Sequence, residues 1–272
     1  MSAFSTNLSR IRKQQRLTQQ ALAEKLNLTF QAISKWETGQ SLPDLEQLTR
    51  LAGLLGVSTD TLLGHTPRIP SGQYEPRYSQ DAYYWGLVPS SMCYEVMKLL
   101  PPTRPLRVLD IGCGEGKDAV FFARNGYEVT AFDISAAGID KARRLADACG
   151  VHVNLFQADI IDFRPDGEYD VVFSSGALHY IPHPLRAEII GSYQARTAPG
   201  GVHALNAFVQ KPFIPDAPDE DAPAWLWRSG ELAMLYADWR FHRFDEVIFD
   251  CESGGTPHQH CMDTLIAQKP FL

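Results

Sequence analysis

Leu106–Ser135 reads LRVLDIGCGEGKDAVFFARNGYEVTAFDIS, and this stretch decides the fold. Leu106, Val108, Leu109 and Ile111 form a short apolar run, the pattern of a strand buried on both faces. Gly112-Cys113-Gly114-Glu115-Gly116 follows directly, and from Ala119 to Ala123 the pattern becomes helical, ending at Asn125-Gly126, a helix-stop signal. A second apolar strand, Tyr127 to Phe132, closes in Asp133. Strand, glycine turn, helix, strand and acid make a mononucleotide-binding unit, in which Gly112 and Gly114 let the backbone approach a ligand and Asp133 accepts from a ribose diol.

The charges argue against a dinucleotide. A pyrophosphate needs a helix N-terminus and glycines spaced GxGxxG. This turn is spaced GxGxG, with Asp110 before it and Glu115 inside it. Two carboxylates repel a pyrophosphate and suit a cationic ligand. On these residues the stretch resembles the first motif of class I S-adenosylmethionine methyltransferases, whose cofactor carries an ammonium and a sulfonium. The resemblance implies that Asp110 and the Gly112, Gly114 and Gly116 turn hold the methionine part, that Asp133 and Ile134 hold the ribose, and that Asp159 and Ile160 lie by the adenine. It also adds Ser174, at the end of the fourth strand, to the cofactor set.

The chain has 272 residues with 44% hydrophobic and 21% charged, ordinary for a soluble globular protein. It shows neither an apolar run of about twenty residues nor the apolar core of a signal peptide. Cysteines at 93, 113, 149, 251 and 261 are scattered and odd in number, which fits reduced thiols, and a cytoplasmic location is expected. The net charge of −7 is unevenly divided. Residues 1–64 carry seven Lys/Arg against five Asp/Glu, and the remainder carries 18 against 27. Only the small N-terminal part has a balance compatible with nucleic acid.

Residues 1–65 read as a bundle of short helices. Thr18 caps Gln19 to Leu26, Asn27-Leu28-Thr29 turns the chain, and Thr29 caps a third helix ending at Gly39. Another helix follows Pro43, and Val57-Ser58-Thr59-Asp60 caps a last one. In LTQQALAEKL, LTFQAISKWETG and VSTDTLLG this order is similar to the phage-repressor-like (XRE/Cro-type) helix-turn-helix family. That resemblance sends the helix beginning at Thr29 into a DNA major groove, with Phe30, Gln31, Ser34 and Lys35 outward and Gln19 and Arg12 on phosphates. The alternative is a helical module that binds protein or only dimerises. A homodimer is expected.

Thr66 to Pro76 is rich in Pro, Gly and Ser, and residues 66–77 read as a linker to a domain spanning 78–272. Tyr84 and Trp85 offer aromatic faces for a sulfonium or adenine. Beyond Asp133 come a helix from Ser135 to Cys149, a strand from Val151 to Phe156 and a fourth from Tyr169 to Phe173. A helix from Pro184 to Thr197, a turn at Pro199-Gly200-Gly201 and strand five from Val202 to Val209 follow. The fold expected is α/β: a Rossmann-like class I methyltransferase sheet of seven strands whose last hairpin is antiparallel, behind an all-α helix-turn-helix domain. The segment 210–227 reads as a substrate-covering loop with Phe213, Trp225 and Trp227 as cage residues.

The tail narrows the resemblance. SGELAMLYADW (229–239), followed by two strands, is similar to the tellurite-resistance (TehB-like) methyltransferases, which implies a small soft acceptor: a thiol, or a selenium or tellurium species. The chain departs from that family at FDCESGGTPHQHC (249–261), near a position where the tellurite enzymes carry a His-Arg pair. His258 and His260, two apart on a strand, share a face and, with Cys251 across the turn, can hold a soft metal or metalloid or orient a thiol. A histidine pair bonded to substrate or carboxylate is the reading adopted, and no metal is assigned. His179, His258 and His260 are thus the candidate catalytic groups, and Cys251, Trp225 and Trp227 the substrate contacts. The function expected is methyl transfer from S-adenosylmethionine to a small-molecule acceptor, fused to a double-stranded DNA reader, with no membrane partner. The competing class is a transcriptional regulator whose methyltransferase-like domain only senses S-adenosylmethionine or a small ligand.

Overall fold

The computed structural model describes residues 2–57, 59–65, 74–217, 225–252 and 255–271. The chain forms two compact units, Met1–Arg68 and Ile69–Leu272.

The first unit holds α1 (Ala3–Gln14), α2 (Gln19–Leu26), α3 (Phe30–Thr38), α4 (Leu45–Leu55) and α5 (Thr59–Leu63). Its boundaries are set by local chemistry. The Thr18 and Thr29 hydroxyls accept the backbone N–H groups of Ala21 and Ala32, so each begins a helix where the first N–H groups need partners. Asn27, with φ 56°, and Gly39, with φ 76°, end them in the left-handed conformation. One apolar face from each helix then meets in a core of Leu8, Ile11, Leu22, Leu26, Ile33, Trp36, Leu48, Leu51 and Leu55.

The second unit begins its described part with α6 (Glu75–Tyr78) and α7 (Ser91–Leu99), then β1 (Arg107–Ile111), α8 (Lys117–Arg124), β2 (Glu128–Asp133), α9 (Ala136–Ala148) and β3 (Val153–Gln157). β4 (Tyr169–Ser174), α10 (Arg186–Ala195), β5 (Thr197–Val209), α11 (Glu231–Met234), β6 (Arg240–Cys251) and β7 (His258–Gln268) complete it. The strands order as β3-β2-β1-β4-β5-β7-β6. β1 to β5 pair in parallel, and β7 runs antiparallel to both β5 and β6. The expected seven-stranded sheet with an antiparallel last hairpin is therefore what forms.

Strand period two explains why the middle strands are apolar throughout. Val108 of β1, Val171 and Phe173 of β4 and Ala204 of β5 enter the core on one face, and Leu109, Ile111, Val172 and Leu205 enter the core on the other. Parallel pairing of β1 with β2 and β4 leaves their carboxyl ends side by side, where ligands of open α/β sheets bind.

Three local expectations change. Pro199-Gly200-Gly201 lies within β5 rather than in a turn before it, with a register shift between Tyr169 and Val171 of β4 absorbing the irregularity. The helix expected over 184–197 is a 3₁₀ turn, His183–Leu185, followed by α10, because Pro184 sits in the first turn, where its missing N–H costs nothing. Of the stretch read as a linker, 66–73 lies outside the described residues, whereas α6 packs on α9.

Candidate cofactor and acceptor site

The glycine turn gets its shape from what surrounds it. Gly112 has φ 67°, and a Cβ there would sit 2.3 Å from the Ala177 Cβ. At Gly114, with φ 53°, a Cβ would lie 2.9 Å from the Tyr78 hydroxyl. Both conditions admit only glycine without rearrangement. The carboxylate of Asp133 straps the turn to β2, accepting from Gly114 N at 2.8 Å and from Ser135 N at 2.9 Å. Burial raises its pKa, partly offset by those N–H groups.

Asp110 carries the sharpest electrostatic statement. It is buried, and its Oδ2 has no hydrogen-bond partner. Burial, then the charge of Asp118, pushes its pKa well above the usual range, with Lys117 opposing. A buried unpartnered carboxyl is expensive unless a cation or donor joins it.

Around the turn lies a cavity of about 390 Å³, inside the range of small-molecule sites. Asp110, Gly112, Gly114, Asp133, Ile134, Asp159, Ile160 and Trp85 all line it. Tyr74 and Tyr78 line it too, and both fall in or beside the stretch read as linker. Trp85 donates its indole N–H to the Tyr78 hydroxyl at 3.1 Å. Glu75 accepts from the Ser135 hydroxyl and from Ala137 N at the first turn of α9, which fixes α6 beside the cavity.

Several cofactor assignments need correction. Gly116 does not line the cavity; a Cβ there would be 2.5 Å from the Ala142 Cβ, so this glycine lets α8 pack against α9. Ser174 is fully buried, and its hydroxyl donates to Ile111 O at 3.0 Å, tying β4 to β1. Tyr84 is absent from the lining and packs edge-on to Trp85, with ring centroids 4.7 Å apart. Glu115 is not a spare negative charge. It pairs with the buried Lys141 at 2.8 Å and accepts from Trp85 N at 3.3 Å, while Lys141 also donates to Ala82 O at 2.6 Å. It anchors the 82–85 segment, whereas Asp110 keeps an oxygen without a hydrogen-bond partner beside the cavity.

The far end of the cavity is built by His179, Tyr180, Asn206, Phe208, Phe249, Cys251, His260 and Met262. Strand register brings the last five together. Phe208 opposes Met262, Phe249 opposes His260, and Cys251 opposes His258, so these side chains share one face. His258 and His260 meet with their Nε2 atoms 2.8 Å apart. Burial, then His260 and Arg186, depresses the pKa of His179 to about 3, so its imidazole stays neutral and is a weak base. A contact to the acceptor suits it better than proton abstraction.

The cage expectation fails at Trp227. That ring is fully buried, donates to Leu178 O at 3.0 Å and lies 4.0 Å below the Arg186 guanidinium. Trp227 N donates to Phe208 O at 2.8 Å and Gln210 N to Trp227 O at 2.8 Å, so residues near 227 extend the wall beside β5. Trp225 is half-buried outside the lining, its N–H on His179 O at 3.3 Å, and Phe213 is exposed. Residues 218–224 of the expected covering loop lie outside the described residues.

In the first unit Phe30, Gln31 and Lys35 are exposed on α3 and Ser34 is half-buried, as a groove-reading helix requires. Arg12 and Gln19 are otherwise engaged. Arg12 Nε and Nη2 hold the Glu37 carboxylate at 2.5 and 3.0 Å, and the Gln19 amide donates to Glu37 at 2.8 Å. This largely buried knot ties α1, α2 and α3 together, so neither residue is a spare phosphate contact.

Residues 108–201 match the family described as a methyltransferase domain, and residues 8–62 match the helix-turn-helix family. A helix-turn-helix match is thus followed in one chain by a methyltransferase-domain match. Hemagglutinin 1 of Eikenella corrodens is 29% identical over 61% of this chain and 55% of its own length. The probable S-adenosyl-L-methionine-dependent methyltransferase TehB of Haemophilus influenzae is 25% identical over 61% of this chain and 58% of its own. The crystal structure of TehB from that organism superposes with a TM-score of 0.60 at 20% identity, covering 73% of this chain and 66% of that one, which establishes likeness of fold. An uncharacterized HTH-type transcriptional regulator of Bacillus subtilis, YqaE, is 45% identical over 22% of this chain and 52% of its own length. The chain thus spans a little over half the length of the curated relatives that its methyltransferase domain matches. No helix among the described residues is long and apolar enough to cross a membrane.

Proposed function

We propose that the chain transfers the methyl group of S-adenosylmethionine to a small soft nucleophile, a thiol or a selenium or tellurium species, and that residues 1–65 bind double-stranded DNA. The observation that carries the first half is Asp110, a buried carboxyl with an unpartnered oxygen beside a glycine turn that a Cβ would block. Those features fit a ligand with a cationic head. Asp110 would hold the ammonium, the Gly112–Gly114 backbone would take the methionine part, Asp133 would accept from the ribose, and Asp159 with Ile160 would flank the adenine. When bound, the cofactor would supply an electrophilic methyl on a sulfonium, with a neutral thioether as its leaving group. The chain's own work is alignment and water exclusion. Phe208, Phe249 and Met262 give an apolar wall, and neutral His179 orients the acceptor rather than deprotonating it. Similarity to TehB and the soft Cys251, His258 and His260 group support a soft acceptor.

The regulator reading has one observation in its favour. Tyr74 and Tyr78, which line the cavity, follow within ten residues of the end of the helix-turn-helix unit, so ligand occupancy acts close to the junction in the chain. Incubation of the full chain with methyl-labelled S-adenosylmethionine and a panel of thiols, selenite and tellurite separates the two. Transfer to at least one soft acceptor is expected. Cofactor binding with no transfer to any acceptor overturns the enzyme reading in favour of a sensor. A homodimer is the proposed DNA-binding form.

A further inference from the structure

We propose that Cys251, His258 and His260 form a binding site for a thiophilic divalent cation, zinc(II), whose open fourth position takes a thiolate acceptor. This deepens the methyltransferase reading and, in its acceptor part, rests on it.

The donor set comes from strand register. Cys251 ends β6 opposite His258 on β7, and His260 stands two residues on along the same face. One ligand atom from each lies within 4.8 Å of the others. Tetrahedral zinc, with bonds of about 2.0–2.1 Å to nitrogen and 2.3 Å to sulfur, requires ligand atoms roughly 3.3–3.6 Å apart. Side-chain rotation alone spans the difference. Carboxylate-free S and N donors select soft or borderline cations over magnesium or calcium.

A second observation prepares the ligands. His258 Nδ1 lies 2.7 Å from Thr256 O, and a carbonyl only accepts, so Nδ1 carries the hydrogen and Nε2 presents a lone pair. That lone pair faces His260 Nε2 at 2.8 Å, with one hydrogen shared between two ring nitrogens. A cation takes the place of that hydrogen. Backbone anchoring of the distal nitrogen is the arrangement that orients metal-binding histidines.

Three protein ligands leave a coordination position open, the mark of a reactive rather than a structural zinc site. Cys251 and His260 line the same cavity as Asp110 and the glycine turn, so the open position faces the cofactor side. A thiol entering there loses its proton to solvent and binds as thiolate. Its sulfur forms the new bond to the methyl carbon while the methyl–sulfonium bond breaks. The electron pair stays on the departing sulfur, giving a neutral thioether on each product and leaving the metal unchanged.

Cobalt(II) titration of the chelator-treated full chain tests the site without any turnover. A sulfur-to-cobalt charge-transfer band and tetrahedral ligand-field bands are expected at one equivalent, bleached by one equivalent of zinc. Cys251→Ser removes the charge-transfer band and weakens zinc binding about 100-fold, since a whole ligand is lost where second-shell changes alone cost about 10- to 100-fold. β-Mercaptoethanol shifts the band in the wild type. No band in the wild type, or the same band in Cys251→Ser, overturns the metal site. A band that β-mercaptoethanol leaves unmoved overturns the acceptor part. Cofactor binding to the metal-free chain, measured by calorimetry, reports on the methyltransferase reading separately. Should Cys251→Ser fail to fold, His258→Gln, the more exposed ligand, must lose the ligand-field intensity.

Discussion

Replacing Asp110 by Asn keeps the shape of the side chain and removes its charge. In the ligand-free chain that charge is a liability: the group is buried, Oδ2 has no partner, and Asp118 adds repulsion. In the complex it is the natural partner of an ammonium. A hydrogen bond to a charged group contributes about 1.5–3 kcal/mol, so Asp110→Asn should weaken S-adenosylmethionine binding roughly 10- to 150-fold. The ligand-free variant should be as stable as the wild type or more so. The sign follows from linkage. A carboxyl whose folded pKa is raised above its unfolded value gives stability that is complete below the unfolded pKa and lost as pH rises through the folded one. Melting temperatures of wild type and variant should therefore diverge in the variant's favour as pH rises. Wild-type affinity should tighten over the same rise, because pairing with the cation requires the ionised carboxylate, and the variant should lack this component. Calorimetric titration and thermal melts from pH 5 to 8 read both effects. Equal cofactor affinity in variant and wild type would refute the assignment of Asp110 to the cofactor's cationic head.

Alanine at Gly112 and at Gly116 should separate binding from packing. Both have positive φ, which costs an L-residue about 1–2 kcal/mol, but Gly112→Ala also collides with Ala177, which lines the cavity, and should abolish measurable cofactor binding. Gly116→Ala, which pushes on Ala142 outside the cavity, should lower the melting temperature with the smaller effect on affinity for the molecules that remain folded. In the helix-turn-helix unit, Glu37→Gln leaves Arg12 without its carboxylate, and loss of one partner of a buried pair costs about 3–5 kcal/mol, so this unit should melt at lower temperature. Lys35→Ala, on the exposed face of α3, should leave the melt unchanged, weaken duplex binding by the full chain and reduce the salt slope by about one.

The order of elements was legible in the sequence because each is specified by neighbours in the chain. Thr18 and Thr29 cap the residues just ahead of them, and the apolar run before Gly112 makes a two-sided strand wherever it is placed. Gly112 and Gly114 are likewise local, since their backbone angles belong to the turn itself. The partners of polar side chains are not local, and tertiary structure alone decided them. Glu115 looked like a second acid for a cationic ligand until Lys141, from the next helix, neutralised it. Trp227 looked like a cage residue until Leu178 and Arg186 enclosed it, and Ser174 like a cofactor contact until its hydroxyl donated to Ile111 O of β1. Tyr74, Glu75 and Tyr78 lay beside prolines and glycines and gave no signal of the cavity and helix end they reach. Period two placed His258 and His260 on one face, but only the β6–β7 register brought Cys251 opposite His258 and set Cys251 and His260 in the wall of the cavity that holds Asp110. Sequence specifies backbone conformation through short-range sterics and hydrogen bonding. Which charge meets which, and which side chain is left facing a ligand, depends on contacts that exist only once the sheet has closed.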